Sequence, residues 1–125
     1  MGCPQPQDQR ADYLITVGGL MDNWEKLFDE INVWADQTFG KQDGGTSKAL
    51  HLREEAEELL TVLTFKPENW KEDTADELAD IILIAMHCYH CNDIDALKAV
   101  RKKFEIVKKR DWQAPDENGV VRHVK

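Results

Sequence analysis

Six carboxylates stand out by their spacing. Glu54, Glu55, Glu57 and Glu58 fall within one short stretch, and Glu77 and Asp80 follow at a three-residue step. Side chains three and four apart share one face of a helix. Helical phasing of the first group sets Glu55 and Glu58 at the edge of an apolar stripe formed by Ala56, Leu59, Leu60 and Leu63. Glu54 and Glu57 then turn toward solvent or a partner. Glu77 and Asp80 lie in a segment that is apolar almost all round, from Leu78 to Met86. Lone carboxylates in such a place cost several kcal/mol, roughly, and a divalent cation offsets that cost. A cage of hard oxygen ligands from two helices suits Mg²⁺ or Mn²⁺. A solvated acidic face, or ion pairs to Arg53 or Lys71, would satisfy the same residues without a metal.

The chain is segregated in charge. Residues 54–80 hold ten acids and two bases, whereas residues 98–110 hold seven bases and one acid, Glu105. That basic stretch offers cations for a phosphate chain that a metal also grips, or else it is a solvated face. The total charge of −8 over 125 residues disfavours binding to a nucleic acid polymer. The longest apolar run, Ile81–Met86, is far too short to span a membrane. Three cysteines, Cys3, Cys88 and Cys91, form no disulfide framework and are expected as reduced thiols in the cytoplasm, the host cytoplasm if the source is viral.

The elements that must position these groups are helices. Apolar residues recur at helical steps from Leu20 through Trp24, Leu27, Phe28, Ile31, Trp34 and Ala35, with Asp22 or Asn23 as cap and an end near Phe39-Gly40. Residues 1–19 are expected as an arm or tail, packed through Tyr13, Leu14, Ile15 and Val17, and residues 20–125 as the functional domain. A glycine-rich loop over 40–46 leads to a second helix, about Lys48 to Phe65, stopped by Lys66-Pro67. The third helix ends near His90 and starts at a Thr74/Glu77 capping box or one turn earlier. It is expected to be the most buried element. Asp93 or Asp95 opens a fourth, and Asp116 to Gly119 reads as a turn. Four helices with short connections give an all-α bundle, and the exposed-looking apolar positions on the first and third predict an oligomer. Trp34 and Phe39 are candidates to stack on a base, or else core aromatics.

His87, Cys88, His90 and Cys91 crowd one end of the third helix. A structural zinc site needs ligands converging from more than one such turn, so these read as ordinary helix-end residues, with His87 in reach of a supporting role beside Asp80. A di-iron bundle needs His three residues after its glutamates, and neither Glu58 nor Glu77 has one. A carboxylate-bridged metal-binding bundle and a non-catalytic interaction module are the rival readings.

The pattern resembles the MazG-like all-α nucleoside triphosphate pyrophosphohydrolases, whose signature is E-E-x-x-E, a spacer, then E-x-x-D. Here Glu54-Glu55 and Glu58 are followed, after eighteen residues, by Glu77 and Asp80. The flanks, Trp34 to Gly40 and Arg110 to His123, resemble the dATP/dGTP pyrophosphohydrolase branch. The resemblance implies hydrolysis of a (deoxy)nucleoside triphosphate, dGTP or dATP, to the monophosphate and pyrophosphate. It implies Mg²⁺ or Mn²⁺ held by Glu55, Glu58, Glu77 and Asp80, with Glu54 beside them or as the base that orients water. Lys103, Arg110 and His51 would bind phosphate. His51 stands where the family often has Lys, and Val107 where it often has Asn. The family builds its site at a subunit contact, which implies a homodimer or homotetramer.

Overall fold

The computed structural model describes the backbone of residues 6–125 and the side chains from residue 23 onward. It contains four helices: α1 Pro6–Phe39, α2 Ser47–Phe65, α3 Trp70–Cys91 and α4 Ala96–Lys108. No strand occurs among the described residues; the nearest thing is one antiparallel bridge, Trp112 to His123. No described helix is long and apolar enough to cross a membrane.

α1 begins well before the expected Asp22–Asn23 start and takes in most of the segment expected as an arm. Proline suits the first helical position because its missing N–H is unneeded there. The helix runs on through Gly18-Gly19, since glycine taxes a helix without forbidding it. The expected packing of Tyr13, Leu14, Ile15 and Val17, like Leu20 and Cys3, lies outside the described side chains.

The chain divides into two compact units, Met1–Asp93 and Ile94–Lys125. In the first, α2 and α3 form the closest helix pair, and α1 packs on α3. Lys66 turns the chain out of α2 in the left-handed region, φ 45°, and its N–H donates to the Val62 carbonyl. Pro67 cannot continue the helix. α3 starts at Trp70, one turn ahead of the Thr74/Glu77 capping box, so Thr74 sits inside the helix and donates to the Trp70 carbonyl at 2.6 Å. The loop before α2 is seated on the end of α3: a Cβ on Gly44 would run into the Asn92 amide.

α3 is less buried than its composition predicts. Only Met86 and His87 are buried on it, while Leu78, Ile82 and Leu83 are exposed. The helix is apolar all round, but α1 and α2 cover only part of it within this unit. Trp24 and Leu27 on α1 and Leu60 and Leu63 on α2 are exposed too.

In the second unit, Asp95 caps α4 by accepting from the Lys98 N–H at 3.1 Å. Asp95→Ala leaves that donor unsatisfied and should cost about 1 kcal/mol, read as a lower urea midpoint with an unchanged slope. Beyond α4 the chain doubles back at Asp116–Gly119, as the turn signal predicts. The Asp116 carboxylate accepts from the Asn118 and Val120 N–H groups and pairs with Arg122 at 2.6 Å. The Arg122 guanidinium, then the backbone donors, hold this carboxyl below its ordinary range.

Candidate metal and nucleotide site

α2 and α3 are joined by a short turn and run antiparallel. That register sets the glutamates of α2 opposite Glu77 and Asp80. Glu55, Glu77 and Asp80 each offer a carboxylate oxygen lying within 4.8 Å of the other two. Glu58 is near enough to Glu77 for its charge to raise that carboxyl's pKa. Of the four expected ligands, Glu55, Glu77 and Asp80 form the close group, and Glu58 is outside it. Glu54 is exposed one residue away on α2.

The electrostatics of the cluster are unfavourable as they stand. One oxygen of Glu55 and one of Glu77 are buried with no hydrogen-bond partner. Burial first, then hydrogen bonds with Glu55 and Glu58 and repulsion from both, pushes the Glu77 carboxyl from 4.5 up to about 7. Like charges this close cannot all ionise without a counter-charge. His51 Nε2 lies 3.2 Å from a Glu55 oxygen. The orphaned oxygens and the all-carboxylate donor set fit a hard divalent ion such as Mg²⁺ or Mn²⁺.

Trp34 and Phe39 meet edge to face at 5.4 Å between ring centroids. Both are more than half exposed in the single chain. Phe39 also lies 6.2 Å from the His87 ring. Beside it, Asp36 accepts from His90 at 2.9 Å and ties α1 to α3. Cys88 and Cys91 are free thiols, and no metal-ligand group forms around them among the described residues. Lys103 on α4 is exposed, and Arg110 just after it is half-buried; both belong to the second unit.

Lys48 escaped the sequence reading. Its charge acts on His87 and helps lower that imidazole's pKa, after burial as the larger cause. The signal lay in the hairpin register: an antiparallel pair that sets Glu55 opposite Asp80 also sets Lys48 opposite His87.

No family model matches the sequence, and no curated protein matches it. Among solved structures it is similar to a MazG-like pyrophosphohydrolase of cyanophage S-2L, a structure holding dGDP and three catalytic Mn²⁺ ions per active site. The two are 25% identical, with a TM-score of 0.61 over 81% of this chain and 96% of that one. The four helices described here therefore have a MazG-like fold, and they carry a carboxylate cluster able to hold a metal ion.

Proposed function

We propose that this chain is a MazG-like, metal-dependent nucleoside triphosphate pyrophosphohydrolase of the dATP/dGTP branch, acting on dGTP or dATP. The observation that carries the reading is the triplet of Glu55, Glu77 and Asp80 oxygens within 4.8 Å, two of these side chains having a buried, unpartnered oxygen. It stands on the fold of an enzyme that holds Mn²⁺ and dGDP.

Glu55, Glu58, Glu77 and Asp80 would hold the metal. Bound there, a divalent ion acidifies water and neutralises charge on the α- and β-phosphates. Glu54, exposed beside the cluster, orients the attacking water and accepts its proton. The water oxygen bonds to the α-phosphorus, the bond to the bridging oxygen breaks, and pyrophosphate departs with the electron pair. Lys103 and Arg110 are the cations that the family resemblance assigns to phosphate, and a cation meeting the leaving pyrophosphate would stabilise its charge. His51, with Nε2 3.2 Å from a Glu55 oxygen, stands beside a proposed ligand, in addition to any phosphate contact. Trp34 and Phe39 present flat apolar faces to the base.

The functional form is a homodimer or homotetramer. Its support is the apolar surface of Trp24, Leu27, Leu60, Leu63, Leu78, Ile82 and Leu83, which is exposed in the single chain. The test of function is a product assay over the eight common ribo- and deoxynucleoside triphosphates with Mg²⁺ or Mn²⁺. Pyrophosphate and monophosphate are expected, fastest from dGTP or dATP. Orthophosphate with a diphosphate as products would overturn attack at the α-phosphorus.

A further inference from the structure

We propose that His87 and Lys48 read the base edge of the bound nucleotide, acting as two hydrogen-bond donors that select guanine over adenine through O6 and N7. This rests on the pyrophosphohydrolase reading above and adds the substrate choice to it.

Four observations within the first unit converge. His87 is only 9% exposed, and its Nε2 is buried with no hydrogen-bond partner. A buried polar nitrogen left unpaired costs free energy that a ligand can return. The Phe39 ring lies against that imidazole and is itself paired with Trp34, so the orphaned nitrogen stands at an aromatic pair. Phe39 is 53% exposed and closes α1 just before Gly40, whose φ is 73°.

The third observation is distance along the seam. His87 follows Asp80 by seven residues on α3, about 10 Å of helix rise. Lys48 precedes Glu55 by seven on α2, which in an antiparallel pair is the same rise toward the same end of the hairpin. An α-phosphate held at the carboxylates would place the far edge of an extended nucleotide's base near this pair. Lys48 completes the case, since it has no carboxylate partner among the described ion pairs.

The selection follows from donor and acceptor types. Burial, then Lys48 and His90, holds the imidazole below its ordinary 6.5 against the opposite pull of Asp36. Neutral His87 in its Nε2–H tautomer donates one hydrogen bond, and Lys48 can only donate. Guanine presents two acceptors on that edge, O6 and N7, whereas adenine presents N7 beside the N6 donor. Lys48 facing the adenine amino group meets a donor with a donor.

The test compares dGTP and dATP in the intact protein and in Lys48→Met and His87→Phe, with Mg²⁺. The wild type is expected to favour dGTP about tenfold or more in kcat/KM. Each variant should bring the two substrates together, raising the KM for dGTP more than it lowers kcat, and keep the metal-induced rise in melting temperature. A wild type that prefers dATP, or variants with an unchanged ratio, overturns the proposal. Histidine ring ¹⁵N spectra of the wild type give a reading that does not depend on variants folding. The His87 signal should move with α,β-methylene-dGTP and Mg²⁺ and stay in place with tripolyphosphate and Mg²⁺. A signal indifferent to both, or moved equally by both, overturns base reading. If no nucleotide is hydrolysed, the enzymatic reading falls, and the spectra still judge the base contact alone.

Discussion

Glu55→Gln is expected to lower pyrophosphate release on the order of a hundredfold or more. The side chain is the hub of the cluster. One of its two oxygens lies 3.2 Å from His51 Nε2, the other is buried without a partner, and the group reaches within 4.8 Å of both Glu77 and Asp80. An amide removes the negative charge and turns one end of the group into a donor facing other carboxylates. Metal affinity and turnover should fall together, and excess Mn²⁺ should restore only part of the rate. Steady-state kinetics over a metal titration check it. Full activity at ordinary Mg²⁺ would mean that this cluster is not where the ion is held.

The second large effect is on stability and is largely cancelled by the metal. Glu77 is raised from 4.5 to about 7 in the folded chain. Between those values the folded state binds more protons than the unfolded one, so without metal stability is full below pH 4.5 as far as this group is concerned. It declines as pH rises toward 7 and levels off above. As far as Glu77 is concerned, metal-free protein should therefore melt lower at pH 8 than at pH 5, against a smaller opposite contribution from His87, whose pKa is lowered by burial. Mg²⁺ or Mn²⁺ should restore most of that loss at pH 8 and little at pH 5, because the ion competes with the proton. Glu77→Gln should flatten the metal-free pH profile, raise the melting temperature at pH 8 and abolish the metal response. Calorimetry at the two pH values, with and without metal, reads all three. A metal-free profile that rises between pH 5 and 8 would contradict the raised carboxyl.

Much of this was legible in the residues, for reasons that differ by element. α2 and its stop were readable because periodicity, the glycine-rich entry and Lys66-Pro67 all agree. The observed helix, Ser47–Phe65, differs from the expected one by a single residue at its start. The cap at Asp95 was readable because a carboxylate before an apolar-periodic run has one dominant local use. The start of α1 was not readable: Gly18-Gly19 looks like a break when only local preference is weighed. The burial of α3 was overstated because composition reports how apolar a helix is and not how many neighbours cover it. The acidic cluster was readable because two carboxylates three apart in an apolar segment leave few inexpensive arrangements. The pairing of Lys48 with His87 was hidden, since it exists only once the register of the α2/α3 hairpin is known.

That hairpin has a consequence for how the molecule forms. Every proposed ligand from Glu55 to Asp80 lies on two helices joined by a four-residue link, Lys66–Asn69. Such a segment has low contact order, so its helices meet without waiting for a long loop to close. The hairpin that carries the proposed metal ligands would emerge early as the chain leaves the ribosome, ahead of α4, so a nascent chain would complete its carboxylate cluster before the last helix is made.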